Sequence, residues 1–238
     1  MILGALASAG AFAEEAPWPL VVSVSGGLVL ASPGDTQTLN LTSSITNSYV
    51  AEPKADSALG VELFAGLRRK VSGVGEVQYG LALANVSPFT TSGVIWEEAD
   101  PTFDNYAYSY DLSQTRIALK GRTVLDFTFL GVRPFVSASL GLGFNRAESF
   151  AAVPTIDGAA AISGFQPNSM TSFTYTLGLG AEYSIDPRWR VGLGIEFGDL
   201  GKFSLGSVAG QTTDERLKID HVYTRGALLS VSFVLGGE

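Results

Sequence analysis

Hydrophobic and polar residues alternate with a period of two along most of this chain, and the segment from Asp220 to Leu235 shows it most clearly. Ala227, Leu229, Val231, Phe233 and Leu235 fall on one face, whereas Thr224, Gly226, Leu228, Ser230 and Ser232 fall on the other. Such a period predicts a strand with an apolar environment on one side only. Seven earlier segments repeat it: Leu20 to Leu30, Leu59 to Arg69, Val77 to Val86, Tyr106 to Lys120, Pro134 to Phe144, Phe173 to Tyr183 and Trp189 to Phe197. The fourth strand changes phase. Tyr106, Tyr108, Tyr110 and Leu112 are in step, but Thr115, Ile117 and Leu119 occupy the alternate positions, which predicts a β-bulge near Ser113.

The connections alternate in length. Ala31 to Ala58, Ser87 to Asn105, Asn145 to Ser172 and Gly198 to Leu217 are long and polar, whereas Val71 to Gly75, part of Gly121 to Arg133, and Ser184 to Arg188 are short. Long loops at one end and tight turns at the other are the pattern of a transmembrane meander.

Composition decides which medium the apolar face meets. Charged residues are only 16% of the 238, and the 28 glycines lie mostly within the alternating segments. A soluble barrel needs a hydrated exterior rich in Lys, Asp and Glu, but here the face opposite the apolar one is Gly, Ser and Thr with a few charges. Turning the barrel inside out resolves the conflict, with apolar side chains toward lipid and small polar ones in a narrow lumen. The prediction is an all-β, eight-stranded antiparallel up-and-down transmembrane β-barrel with short periplasmic turns and long extracellular loops. Trp18, Tyr79, Tyr183, Trp189 and Phe233 at the turn ends, and Phe144, Phe173, Tyr175, Phe197 and Tyr223 toward the loop ends, are placed to form two interfacial girdles. No segment reaches the ~18 apolar residues of a spanning helix. Ile2 to Phe12, a short apolar run ending in the small-x-small site Ala11-Phe12-Ala13, reads as a signal peptide, shortened at its start and cleaved after Ala13, leaving residues 14–238 as one barrel domain.

The stretch Thr224-Arg225-Gly226-Ala227-Leu228-Leu229-Ser230-Val231-Ser232-Phe233 resembles the C-terminal signal by which outer-membrane barrels are recognised for assembly. With the eight strands and the leader, the chain resembles the small outer-membrane β-barrel family of Gram-negative bacteria, relatives of outer-membrane protein A and the opacity-type porins. That resemblance implies localisation in the outer membrane and contact with its lipid and lipopolysaccharide. It also implies handling by the barrel assembly machinery through Thr224, Gly226, Leu229, Val231 and Phe233. The chain departs from the pattern in extending past the aromatic, to Gly236-Gly237-Glu238.

The candidate chemistry is concentrated in the lumen. Glu62, Arg116, Glu196, Lys120, Glu182 and Arg190 fall on inward positions, where an unpaired charge is costly. The expected arrangement is an upper cluster of Arg116 with Glu62 and Glu196, and a lower one joining Lys120 and Arg190 to Glu182. Arg68 also falls inward, near the turns, while Glu97, Glu98, Asp100 and Asp104 crowd one outer loop, where solvation explains them better than a divalent cation. The one histidine, His221, falls with Ile219 and Tyr223 on the lipid side and lacks a companion serine motif.

No catalytic residue, cofactor or metal ligand is assigned, and the chain is read as no enzyme. A net charge of −8 argues against nucleic acid as a partner. The function expected is a structural or surface-interaction role, porin-like, in a monomer. The alternatives are a narrow channel for small solutes, an enzyme modifying lipid A, and a soluble periplasmic barrel.

Overall fold

A computed structural model describes residues 18–32 and 34–236; the expected signal peptide lies outside them. Twelve strands are described in chain order: β1 (Leu20–Ala31), β2 (Gln37–Asn40), β3 (Thr46–Ala51), β4 (Asp56–Val71), β5 (Gly75–Glu97), β6 (Tyr106–Leu125), β7 (Val132–Pro154), β8 (Asn168–Ser184), β9 (Trp189–Asp199), β10 (Phe203–Ser204), β11 (Lys218–Ile219) and β12 (Tyr223–Leu235). Eight of them close a ring in the order β1-β4-β5-β6-β7-β8-β9-β12, with every neighbour antiparallel. Closure comes from the chain ends, where β1 pairs with β12 from Leu20↔Leu235 to Ala31↔Thr224. Within the ring each strand has two partners, so the backbone polar groups are satisfied without water.

The alternation has the orientation the composition required. Leu28, Leu59, Leu81, Leu119, Leu140, Leu179, Leu193 and Leu229 point outward and are exposed, whereas Ser23, Glu62, Arg116, Ser139, Thr176, Glu182 and Ser232 point inward and are buried. A soluble barrel shows the reverse. Aromatic residues border this apolar belt. Near the turns Trp18 meets Tyr79 edge-on at 6.0 Å and Trp189 meets Phe233 at 4.7 Å, while near the loops Phe197 stacks on Tyr223 at 6.1 Å.

The strands on one side outrun the membrane. β5 and β7 have 23 residues each, about twice the 9–11 that a bilayer requires. Much of what alternation assigned to the loops Ser87 to Asn105 and Asn145 to Ser172 is therefore strand, and β2 and β3 add a hairpin to the projecting part of β5.

This projection also explains the phase change in β6, and the bulge expected near Ser113 is absent there. Ser113 pairs regularly with Arg146, and even-numbered residues from Tyr106 to Arg116 all face inward. What changes is the outer medium. Beside lipid the apolar residues point out, but above it, in water, they point into the barrel. The bulges lie in the flanking strands. One extra β5 residue fits between the Val86↔Gln114 and Phe89↔Leu112 pairs, and one extra β7 residue between Glu148↔Asp111 and Ala151↔Ser109. Each insertion reverses which parity faces inward. Ala82 and Ala84 point in below the β5 bulge, and Phe89 and Ile95 above it. In β7 the turn-over is marked by Ser149 in the left-handed region at φ 61°.

Glycine allows the wall to accept large side chains in a narrow bore. Gly180 and Gly194 are cross-strand partners, and the Phe135 ring lies over both, 2.6 Å and 3.0 Å from where their Cβ atoms would stand. The Arg122 guanidinium lies 3.8 Å from the centre of that ring. A Gly180→Val variant is expected to lose at least ~1–3 kcal/mol through overpacking. Reduced recovery of the heat-modifiable folded band on electrophoresis after refolding checks this; full recovery would count against the close fit.

Candidate functional site in the barrel lumen and its outer cap

The lumen is filled in layers. Nearest the turns, Glu182 accepts hydrogen bonds from Arg122 at 2.7 Å, Arg133 at 2.7 Å and Arg190 at 3.2 Å. Arg190 also bridges to Glu76 at 2.7 Å, and Glu76 receives Arg68 at 3.0 Å and the Gln78 amide at 2.8 Å. Higher up, Arg116 lies 3.1 Å from Glu62 and 3.3 Å from Glu196, and Lys120 contacts the same two carboxylates. Two cavities of about 60 and 40 Å³ remain within this filling.

Five of the six lumen residues named from the sequence thus sit with the partners assigned to them. Lys120 does not. It was expected beside Glu182, but that place is taken by Arg122, one inward position nearer the turn, and Lys120 instead joins Glu62 and Glu196. Strand tilt is the reason, because residues at the same count from a turn on different strands do not share a height. Glu76, Gln78, Arg122 and Arg133 were not assigned to the network. Parity sets Gln78 on the inward face with Gly80, and one further step of the same alternation would have placed Glu76, which fell between the turn Val71 to Gly75 and the strand Val77 to Val86, inward as well.

Above the ion pairs lies a layer of amides. Gln114 Nε2 donates to Asn145 Oδ1 and to the Leu200 carbonyl, both at 2.7 Å, and Asn145 Nδ2 donates to the Leu200 carbonyl at 2.9 Å and to that of Lys202 at 2.6 Å. These bonds fix the start of the segment between β9 and β12 across the bore. That segment then supplies Leu200, Phe203, Leu205, Leu217, Ile219 and Val222 to an apolar core shared with Leu39, Tyr49, Phe89, Ile95, Tyr108, Tyr110 and Leu112 of the projecting strands. β10 pairs with β11 inside it. Burial pushes the Tyr49 hydroxyl up to about 12. The result is a hydrophobic cap on the outer mouth, which sequence reasoning missed because residues 198–217 were read as a polar loop.

Ile219 belongs to this cap and is buried, not on the lipid side with His221 and Tyr223. A bend at Asp220 breaks the alternation there. The His221 ring does lie outward, stacked on Tyr223 at 5.8 Å. It has a partner that the sequence did not reveal. Nδ1 is 2.7 Å from Oδ2 of buried Asp199, whose Oδ1 accepts the Gly201 N–H at 2.8 Å. Among the described residues no three His, Asp or Glu side chains converge as metal ligands, and the acidic residues of the β5 to β6 loop form no such group.

A closed ring, an apolar belt between aromatic girdles and turns at one end with elaborated loops at the other fix the fold and its setting. It is a transmembrane β-barrel. No family model matches the sequence, and no curated protein matches it. Among solved structures the chain is similar to Neisserial surface protein A, at 12% identity and a TM-score of 0.48, covering 90% of this chain and 96% of that one. It is similar to the outer membrane protein OprG from Pseudomonas aeruginosa, at 12% identity and TM-score 0.48, covering 91% and 96%. It is also similar to the outer membrane protease OmpT from Escherichia coli, at 10% identity and TM-score 0.49, covering 93% and 99%. The last of these is an enzyme, and it corrects the expectation that a chain of this kind is no enzyme.

Proposed function

We propose that this barrel is a corked scaffold that works at its extracellular surface and does not conduct. The observation that carries this reading is the cap. A solute crossing the bore would have to displace an apolar core, an amide layer and two ion-pair networks, and the cavities of about 60 and 40 Å³ between them hold water-sized molecules only. Every displaced carboxylate or guanidinium would be left unpaired in a narrow, low-dielectric space. The same layers give the barrel a rigid base for its outer loops, where binding surfaces are commonly carried.

The ion-pair residues Glu62, Arg116, Lys120, Glu196, Glu182 and Arg190 are assigned a structural role as lumen filling. Thr224, Gly226, Leu229, Val231 and Phe233 of β12 are assigned to recognition by the assembly machinery. A monomer is the proposed state, supported by a ring in which β1 and β12 are paired with each other. Lipopolysaccharide is proposed to surround the upper girdle. In planar bilayers the purified protein is expected to give no unitary conductance steps above the bare membrane. Reproducible steps of one size would overturn the corked reading.

A further inference from the structure

A cleft of about 600 Å³ lies outside the lumen at the extracellular end, open to water between the β2 to β3 hairpin, the β5 to β6 loop and the loops that follow β7 and β10. Its volume is that of a small-molecule site. Leu41, Ile45, Tyr49, Phe103, Ile162 and Val208 line it, and Ile45 and Phe103 keep 47% of their surface exposed in the empty cleft. Large apolar groups held apart at the rim of a solvated pocket gain by covering one another or an apolar ligand.

One wall is acidic. Glu97 and Glu98 both line the cleft, and no Lys or Arg does. Glu97 Oε2 accepts a hydrogen bond from Asn105 at 2.5 Å, whereas Glu98 has no side-chain partner among the described residues. Its position is enforced by the backbone. Glu98 and Ala99 are consecutive non-glycine residues in the left-handed region, at φ 53° and 56°, a conformation that costs about 1–2 kcal/mol per residue. The loop is tied by Glu97 N–H to Phe103 O, Asp100 N–H to Glu97 O and Phe103 N–H to Asp100 O, each at 3.0 Å. Thr102 donates twice to Asp100, holding that carboxyl below its ordinary range and anionic at the loop tip.

We infer that this cleft binds a small cationic amphiphile, an organic ammonium carried on an aromatic or aliphatic body. The apolar floor takes the body, and the carboxylates of Glu97 and Glu98 take the charge. The half-exposed ring of Phe103 adds an aromatic surface beside which a cation is favoured. An anion is repelled by the same wall, and a neutral apolar molecule leaves Glu98 uncompensated. The inference rests on reading the extracellular end as the working end.

The test is a titration of the full-length, isotope-labelled barrel in nanodiscs with 1-naphthylmethylammonium, its neutral counterpart 1-naphthalenemethanol and the anion 1-naphthoate, followed by amide shifts. Saturable shifts for the ammonium, confined to residues 41–49, 97–105, 162–163 and 208–211, are expected, with weaker binding of the alcohol and none of the naphthoate. Glu98→Gln is expected to weaken the ammonium about fivefold and to leave the alcohol unchanged. Ile162→Trp, which fills the floor, is expected to abolish both while the remaining amide spectrum stays that of the folded barrel. Equal affinity for ammonium and alcohol, indifference to Glu98→Gln, or shifts spread over the lipid belt would each overturn the inference. Because conductance is not read here, failure of the cleft and failure of the corked reading are separate results.

Discussion

Glu182→Gln is expected to destabilise the barrel by about 3–5 kcal/mol. Glu182 is 1% exposed and is the shared acceptor for Arg122, Arg133 and Arg190. The lower network has two carboxylates, Glu76 and Glu182, against four guanidinium groups, Arg68, Arg122, Arg133 and Arg190. Removing one carboxylate leaves Glu76 alone among those four charges. The amide keeps the shape but can neutralise nothing, so the loss is that of breaking a buried pair and not of opening a cavity. Urea unfolding from lipid vesicles measures it, and the outward pair Arg146 to Glu148, at 2.7 Å and largely exposed, is the control. Arg146→Gln is expected to cost under ~1 kcal/mol. A Glu182→Gln change as small as the control would mean that water screens the lumen and that its ion pairs do not hold the wall together.

The contrast between those two pairs shows where the sequence was legible. Period-two alternation located all eight ring strands, because lipid on one side and a filled bore on the other impose opposite chemistry on successive residues. Parity then placed Glu62, Arg116, Glu196, Glu182 and Arg190 inside. Height was not legible. Lys120 and Arg122 have the same parity and neighbouring positions, and only strand tilt determines that Lys120 reaches Glu62 while Arg122 reaches Glu182. The phase change in β6 was visible as a pattern but assigned to the wrong cause, since a bulge and a change of solvent both shift apolar residues to the alternate positions. The flanking strands carry the information that separates them. β5 and β7 contain the extra residues, and their continuation past the belt shows that the barrel enters water.

Asp199 and His221 illustrate a second limit. They are 22 residues apart and the sequence offers no spacing rule that joins them, yet the pair forms where the capping segment leaves β9 and returns to β12. The amides of Gln114 and Asn145 were equally silent in the sequence, because their partners are the carbonyls of Leu200 and Lys202, which any residue could supply. The cap as a whole is a tertiary feature. Its apolar residues are scattered among polar ones and lack the strict alternation of the wall.

Because the cap closes on itself, Phe203→Ala is expected to release it without unfolding the ring. Phe203 is 1% exposed, packs edge-on against Phe89 at 6.5 Å, and lies on β10 opposite Ile219 of β11. Truncating a buried phenylalanine costs about 3–5 kcal/mol, and here the loss falls on a segment joined to the barrel by few backbone bonds. Gly206 N–H to Gln166 O at 2.7 Å, Gln166 N–H to Ser207 O at 3.2 Å and Thr212 N–H to Leu41 O at 2.9 Å are among them, whereas Leu200 N–H to Val222 O and Leu205 N–H to Leu217 O, both 2.9 Å, tie the segment to itself. Local opening then becomes more frequent by a factor of about a hundred or more, while global stability stays with the ring. Trypsin should cut after Lys202, Arg216 or Lys218 far faster in the variant, and amide exchange at Leu205 should accelerate in parallel. The urea midpoint and the heat-modifiable band should remain those of the unaltered protein. If the midpoint instead falls with cap protection, the cap and the ring unfold as one unit, and the outer mouth contributes to the stability of the transmembrane wall.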